Sequence, residues 1–289
     1  MSNKVIIGSD STSDLSPELI KKYGIKTVPL SVGLGGKDYT DGVDIDPEKI
    51  YAHYEATGEL PKTAAPSLTD FEEFFKENTK DGSSVVFFTI SAEMSCTYNN
   101  ARLAAEDFEN VYVIDSRNLS TGGGLLVLAA AEMAEAGDDA KTIAQKCEEL
   151  IPCVDASFVI DNLEFLHKGG RCSAVAAFGA NLLQLKPCIT VTDGKMGVAK
   201  KYRGNFKKVL ESYVAERIGD GEDILKGHVF VTHAGCDAEI YEKCAEQVKA
   251  LLPECEIHIT RAGCTISSHC GRNTLGVLFI RKNSIGAEK

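Results

Sequence analysis

The first 136 residues alternate short apolar runs with amphipathic stretches, and this alternation constrains the fold more than any other feature. Short apolar runs are typical of buried strands, and the stretches between them have the capping residues of helices. The predicted strands cover residues 5–7, 27–34, 85–90 and 111–114, and the predicted helices begin near Ser16, Asp46, Ser67, Ser95 and Thr121. Such alternation predicts an α/β fold whose parallel sheet is covered by helices on both faces.

Three loops rich in hydroxyl groups and small residues follow strands of this predicted sheet. They cover residues 9–14, 91–97 and 115–120. In parallel sheets, ligands bind at the carboxyl ends of the strands, where such loops meet. The sequence therefore places a candidate site at these loops.

The second half also has an α/β pattern, with more hairpin character. Its predicted elements are strands at residues 157–160, 229–233, 256–260 and 275–280, helices near 174–185 and 205–218, and a hairpin across Asp193-Gly194. We predict an N-terminal α/β domain over residues 1–155 that packs against a C-terminal α/β domain over residues 156–289. Interfaces of this kind commonly hold ligands.

Charge and hydropathy exclude several classes of function. The net charge of −11 argues against nucleic acid as a partner, because neutralising phosphates requires clustered cations. The basic, acid-free segment from Lys195 to Lys208 is better explained as a solvated surface than as a docking patch. No apolar run reaches the ~20 residues of a membrane helix, and residues 1–10 lack the features of a signal peptide. We expect a cytoplasmic protein with no integral membrane segment.

The ten cysteines indicate neither disulfides nor a metal site. The cytoplasm keeps thiols reduced, and the chain has no Cys-x-x-Cys pair. Cys264, His269 and Cys270 are close in sequence, but a structural metal site needs a fourth ligand that the sequence does not supply. We expect no metal. Similarly, Gly122-Gly123-Gly124 fits neither a dinucleotide fingerprint nor a P-loop, and indicates close helix packing.

Several polar residues are candidates for binding, although each also has an ordinary structural interpretation. Ser95 lies where a strand gives way to a helix, so it either helps to bind an anion or simply caps the helix. Thr63 lies in a loop bounded by Pro61 and Pro66, which in isolation is better explained as a connector. His269 lies in a glycine-bearing loop before the last predicted strand, and His233 lies at the end of another predicted strand. A histidine at either place can act as a hydrogen-bond donor, as a base or simply as a polar residue.

Seven short motifs, taken together and in order, resemble the DegV family over about residues 4–281. They are Asp10-Ser11-Thr12-Ser13-Asp14-Leu15, Thr63-Ala64-Ala65-Pro66-Ser67, Ser91-Ala92-Glu93-Met94-Ser95-Cys96-Thr97-Tyr98, Val113-Ile114-Asp115-Ser116, Leu166-His167-Lys168-Gly169-Gly170-Arg171-Cys172-Ser173, Leu185-Lys186-Pro187 and His269-Cys270-Gly271. Each motif is weak evidence alone, and their order and spacing carry the resemblance.

The resemblance implies two α/β domains that enclose a tunnel for a long-chain fatty acid such as palmitate. It implies that Thr63 and Ser95 hold the carboxylate, with His269 nearby. It also implies a non-catalytic carrier without a cofactor, whose bound acyl group is phosphorylated by a fatty acid kinase. Arg171 and Arg203 are then candidate contacts to that kinase. We expect the protein to be monomeric.

The chain departs from the family pattern around the expected head group. Ala64 and Ala65 stand where the family often has Ser-Gln, and Cys96 replaces a usual glycine. Cys172 follows Arg171 where relatives often carry an aliphatic residue, and Arg272 replaces a common proline. These changes bear on the geometry of the head-group site and on the preferred acyl chain, and leave the expected fold unaffected.

Two other functions are compatible with the same residues. One is a serine acyl hydrolase with Ser95 as nucleophile, His269 as base and Asp115 as orienting group. Against it, the nucleophile elbow requires glycine two residues on either side of the serine, where this chain has Glu93 and Thr97. The other is a phosphotransfer component with His233 or His269 as acceptor, which would depend on a partner for its phosphate.

Overall fold

The computed structural model describes residues 4–173 and 185–285. The strands in these ranges are β1 (Val5–Asp10), β2 (Lys26–Val28), β3 (Ser31–Leu34), β4 (Lys37–Thr40), β5 (Lys62–Ala64), β6 (Ser84–Thr89), β7 (Val111–Asp115), β8 (Val154–Ile160), β9 (Lys186–Thr192), β10 (Lys195–Tyr202), β11 (His228–Ala234), β12 (Glu256–Arg261) and β13 (Thr274–Ile280). The α-helices are α1 (Pro17–Tyr23), α2 (Pro47–Thr57), α3 (Leu68–Thr79), α4 (Thr97–Ala105), α5 (Thr121–Glu135), α6 (Ala140–Leu150), α7 (Glu164–Gly169), α8 (Phe206–Ile218), α9 (Ala238–Leu251) and α10 (Cys264–Cys270).

The first sheet is parallel, as predicted. Its order is β2-β1-β6-β7, and all three neighbouring pairs run in the same direction. Both faces of β6 are buried, because Val86 and Phe88 join one apolar cluster while Val85 and Phe87 join another on the opposite side. A strand that alternates its side chains between two cores gives the continuous apolar run seen in the sequence.

The second sheet is mixed and has the hairpin character expected of it. Its order is β10-β9-β8-β13-β11-β12, in which β11 and β12 are parallel and the other neighbours are antiparallel. The hairpin across Asp193-Gly194 joins β9 and β10. A third, small sheet of order β4-β3-β5 stands apart from both larger sheets.

Helix α5 lies between the two large sheets and contacts β1 and β6 on one side and β8, β11 and β13 on the other. A helix covered on both sides can be apolar all round, which explains its sequence. A Cβ atom added at Gly124 would lie 2.7 Å from the backbone oxygen of Ser13, and one added at Gly122 would lie 3.1 Å from the Cβ of Ala156. The glycines therefore allow the close packing that the sequence indicated.

Some predicted elements differ from the structure. The single strand predicted over residues 27–34 is two strands in different sheets, separated by Pro29, which cannot donate a backbone hydrogen bond. The proline-bounded loop contains strand β5, which pairs with β3, and the helix expected from Ser95 begins at Thr97. His269 lies in helix α10, not in a loop. The helix predicted near residues 174–185 falls, except for Leu185, outside the described residues.

A helix able to cross a bilayer needs a long, continuous apolar stretch. None of the helices in the described parts of the chain is both long and apolar enough.

Candidate functional site

A cavity of about 330 Å³ opens at the carboxyl ends of the first sheet. Its residues come from both halves of the chain and from two of the three loops that the sequence singled out. The apolar part of the wall consists of Leu30, Ile90, Met94, Leu119, Met196 and Ile266. The polar part contains Thr63, Ser95, Arg171, Thr265 and His269. A mostly apolar wall with a few grouped polar atoms is typical of a small-molecule site.

A second, narrower cavity of about 30 Å³ continues from the first toward the second sheet. Leu119, Ile266 and Cys270 border both cavities, so the two cavities are neighbours. The walls of the narrower cavity are also largely apolar, with Phe158 and Leu278 among them. Both cavities therefore present mainly apolar walls at the junction of the two halves of the chain.

Thr63 and His269 are 206 residues apart in sequence, and the fold brings them into contact. Thr63 lies on β5, opposite Val32 of β3, and its Oγ1 is 2.9 Å from Nε2 of His269. Strand pairing fixes where the Thr63 side chain points, because successive residues of a strand face opposite sides. The loop that the sequence favoured as a mere connector thus carries a residue of the cavity wall.

His269 is held as a neutral ring. Burial, and then the positive charge of Arg171, lower its pKa to about 4. Nδ1 is inaccessible and has no hydrogen-bond partner among the described residues. A buried N–H without an acceptor is rarer than a buried acceptor without a donor, so the proton belongs on Nε2, which then donates to Thr63 Oγ1. In this arrangement the hydroxyl hydrogen of Thr63 is free to point into the cavity.

Ser95 lies at the start of α4, on the same cavity wall. Its Oγ accepts a hydrogen bond from the backbone N–H of Thr97 at 3.3 Å and is 2.8 Å from Thr97 Oγ1. Ser95 thus takes over a capping contact, because the residue at the N-cap position, Cys96, makes none with its side chain. The anion-binding and the capping interpretations are compatible, since the first N–H groups of a helix are unpaired and carry partial positive charge.

Two aspartates from the first half anchor the helix that carries His269. Asp41 accepts from the backbone N–H of Cys264 at 2.8 Å and of Thr265 at 3.1 Å. Asp14 accepts from the N–H of Gly263 at 2.8 Å. Carboxylates at a helix N-terminus stabilise it by charge-assisted hydrogen bonds, and these bonds fix α10 against the first half.

Asp41 is not among the residues predicted for the site. Asp14 was predicted only as a member of a site loop, without a role. The loop of residues 9–14 does not border the 330 Å³ cavity. Its aspartates instead contact elements that do border it. Asp10 accepts a hydrogen bond from the backbone N–H of Ile90 at 2.7 Å. Burial raises the pKa of Asp10 to about 6, although its hydrogen bonds with Thr12 and Ile90 act to lower it. Burial likewise raises the pKa of Asp14.

The candidate arginines lie on the surface. Arg171 is exposed, borders the cavity and donates from Nη1 to the backbone oxygen of Gly169. Arg203 is exposed and follows β10. In the basic segment around it, Lys195, Lys200 and Lys207 form ion pairs with Glu93, Glu216 and Glu239 respectively. These pairs support the interpretation of the segment as a solvated surface.

The departures from the family pattern are accommodated in different ways. Ala64, Ala65 and Cys96 border the cavity, so they bear directly on the space beside the polar residues. Arg272 points away from it, because its guanidinium pairs with Glu48 at 2.6 Å and lies over the ring of Tyr51.

The residues required for the alternative chemistries are not brought together. Asp115 accepts from the backbone N–H groups of Ala92 and Arg117, and among the described residues nothing pairs with His269 Nδ1, where a triad needs its orienting acid. His233 is stacked on Tyr241 at 4.1 Å between ring centres, and burial lowers its pKa to about 4. Cys264, which was considered above as a metal ligand, directs its thiol to the backbone oxygen of Ile45.

Comparison with known proteins places the whole architecture in one family. The family model described as "Uncharacterised protein, DegV family" matches residues 4–282. A DegV domain-containing protein of Caldanaerobacter subterraneus subsp. tengcongensis is 35% identical over 286 residues, which cover 96% of this chain and 99% of that protein.

Solved structures with the same fold include proteins that are described by their ligands. A fatty-acid-binding DegV family protein from Thermus thermophilus is 32% identical, with a TM-score of 0.89 over 96% of this chain and 99% of that one. A stearic acid-binding protein from Eubacterium ventriosum is 29% identical, with a TM-score of 0.82 over 97% of this chain and 98% of that one.

Proposed function

The chain belongs to the DegV family, and on this premise we propose that it binds one long-chain fatty acid, with its tail in the apolar cavity and its carboxylate at Thr63, Ser95 and His269. The observation that carries the proposal is an apolar cavity whose polar residues include three hydroxyls and a neutral histidine. Relatives of the same fold are described as binding fatty acids, one of them stearic acid.

Burial of the tail supplies most of the binding energy in this proposal. Each buried methylene contributes about 0.8 kcal/mol, so roughly fourteen methylenes contribute on the order of 10 kcal/mol before ordering costs. The carboxylate loses hydration when it enters the cavity, and that loss has to be offset by hydrogen bonds. The donors on the cavity wall are the hydroxyls of Thr63, Ser95 and Thr265, the guanidinium of Arg171 and the N-terminus of α4, and the proposal assigns the carboxylate to Thr63 and Ser95 among them.

The proposed role is that of a carrier without catalysis or cofactor. It would act in the cytoplasm as a monomer and present the carboxylate to a fatty acid kinase. The exposed Arg171 beside the cavity and the exposed Arg203 are the proposed contacts to that kinase. Arginine suits this role, because its planar guanidinium forms paired hydrogen bonds with carboxylates and phosphates.

The binding proposal is tested by titrating delipidated protein with palmitate and, in parallel, with methyl palmitate. Both ligands have the same tail, so a preference for the acid isolates the carboxylate contacts. We expect one equivalent of palmitate to bind and the ester to bind at least tenfold more weakly without being hydrolysed. Equal affinity for both ligands, or steady release of free acid from the ester, would contradict the proposal.

The kinase proposal has a separate readout. Palmitate-loaded protein is incubated with ATP and a bacterial extract, and the acyl phosphate is trapped with hydroxylamine as a hydroxamate. We expect Arg203→Ala to slow hydroxamate formation while palmitate affinity is unchanged. The matched control is Arg102→Ala, which removes an exposed arginine of α4 paired with Glu106. Equal rates for both variants would exclude Arg203 as a contact.

A further inference from the structure

A cluster of two histidines and a glutamate lies at one end of β11 and β12, away from the fatty-acid cavity. His228 and Glu256 are the first residues of these two parallel strands and stand opposite each other in the register. His258 follows Glu256 by two residues and so faces the same side of the sheet. None of the three borders the cavity proposed to hold the fatty acid.

The distances in the cluster suit a small divalent cation. Nδ1 of His228 is 2.8 Å from Nε2 of His258 and 3.6 Å from Oε2 of Glu256, and His258 Nε2 is 3.8 Å from Oε1 of Glu256. Metal–ligand bonds of about 2.05 Å at tetrahedral angles separate ligand atoms by about 3.4 Å. The three observed distances lie on both sides of that value. A cation between these atoms therefore requires displacements of only about half an ångström.

Glu132 of α5 prepares His228 for this role. Its Oε1 is 2.9 Å from His228 Nε2 and also accepts from the hydroxyl of Tyr23 at 3.3 Å. A carboxylate on the far nitrogen fixes the tautomer of a metal-binding histidine and makes the other nitrogen more basic. Here it places the proton of His228 on Nε2, so that the lone pair of Nδ1 faces His258 and Glu256.

We propose that His228, His258 and Glu256 form a binding site for Zn²⁺ or a similar divalent transition metal, with Glu132 as the carboxylate that orients His228. Two imidazoles and one carboxylate are an established donor set for zinc when a fourth position stays open to water. The imidazole and carboxylate ligands exclude a preference for soft monovalent copper. With the proton of His228 held on Nε2 by Glu132, His258 Nε2 is the donor in the 2.8 Å contact to His228 Nδ1, so a metal bound at His258 Nε2 requires the His258 proton to be on Nδ1.

The surroundings of the cluster permit this exchange. The two histidine side chains are only 10% and 12% exposed, whereas Glu256 is 57% exposed and can adjust its position. Burial, and then the neighbouring His228, lower the pKa of His258, while Glu256 raises it. The positive charge of Lys22 is also nearby and lowers the pKa of His258 further. A surface pocket of about 370 Å³, bordered by Glu132 and His228, gives access.

A bound metal would join two parts of the fold. It would tie the edge strand β12 to β11 and, through Glu132, to α5, which packs between the two large sheets. A ligand that binds only the folded state raises its stability in proportion to the logarithm of concentration over Kd. Zinc should therefore raise the melting temperature independently of fatty-acid binding.

The test titrates metal-free protein with ZnCl₂ at pH 7.5 under reducing conditions, in competition with a zinc-chelating indicator and with melting curves. We expect one equivalent to bind and to raise the melting temperature. We expect His258→Ala and Glu256→Gln each to weaken binding at least tenfold, and Glu132→Gln to weaken it 10- to 100-fold. Glu256→Gln changes an exposed side chain, so this variant should fold and still test the metal ligands even if His258→Ala fails to fold. The control is His53→Ala, which removes a histidine paired with Glu59 elsewhere.

Two outcomes would overturn the proposal. One is the absence of stoichiometric zinc binding at tens of micromolar. The other is zinc binding that Glu256→Gln and Glu132→Gln leave unchanged, which would assign the metal to other ligands such as the exposed thiol of Cys96.

Discussion

Replacing Thr63 with valine and Ser95 with alanine removes the two hydroxyls proposed to bind the head group while leaving the shape of the cavity wall nearly unchanged. Valine has the size of threonine, and Ser95→Ala removes one atom from a half-buried side chain. The substitutions therefore act on hydrogen bonding to the head group and leave the burial of the tail intact. They separate the two sources of binding energy in the proposed complex.

The magnitude follows from what each hydroxyl does. A hydrogen bond to a charged group contributes about 1.5–3 kcal/mol. The two bonds share one carboxylate, which can turn toward the remaining donor, so their loss is less than additive. We expect the double variant to bind palmitate more weakly by about 2–4 kcal/mol, which corresponds to a Kd raised roughly 30- to 700-fold. Thr63→Val alone also leaves His269 Nε2 without its partner and should lower the melting temperature slightly.

The assay is a titration of delipidated wild type, both single variants and the double variant with palmitate, with melting curves to confirm folding. Thr79→Val is the matched control, because the Thr79 hydroxyl donates within α3 to Phe75 and does not border the cavity. We expect its Kd to equal that of the wild type. A folded double variant with an unchanged Kd would refute the assigned head-group site.

Three further predictions concern the position and protonation of His269. Asp41→Ala should lower the free energy of unfolding by about 1–3 kcal/mol and weaken palmitate binding, because it removes the hydrogen-bond acceptor at the start of α10. An unchanged melting temperature and an unchanged palmitate affinity would refute this prediction. Gly169→Ala should weaken binding, since its Cβ would lie 2.7 Å from His269 Nδ1, whereas Gly197→Ala, which meets nothing, should not. The folded-state pKa of His269 is lowered from 6.5 to about 4. The unfolded state therefore binds the proton first, and wild type should lose up to ~3 kcal/mol of stability as pH falls through this window. The His269→Gln variant should lack this loss in denaturant titrations. If the free energy of unfolding depends on pH identically in wild type and in His269→Gln, the loss does not come from His269.

The sequence predicted the parallel sheet correctly because the relevant signals are local. Apolar runs and helix caps such as Ser16 and Ser67 depend on neighbours a few residues away, and both residues cap their helices in the structure. The position of the cavity followed from the same pattern, since the carboxyl ends of parallel strands must meet at one edge. Division of the chain into domains at residue 155 stays a prediction.

What the sequence did not reveal depends on contacts between distant residues. Strand β5 has three residues and exists because β3 offers it a partner, so no local period marks it. Asp41 caps a helix that lies more than 200 residues later, and a capping rule that reads adjacent residues cannot find it. The proposed metal site could not be predicted from the sequence for the same reason. His228, Glu256 and His258 are brought together by strand register and not by spacing.

The most direct test of the account is native mass spectrometry of the protein as purified, followed by denaturation and identification of what is released. We expect a mass that exceeds that of the polypeptide by one long-chain fatty acid, which denaturation releases as the intact free acid. A protein that carries no lipid after purification, and takes up none when palmitate is added, would contradict the central claim.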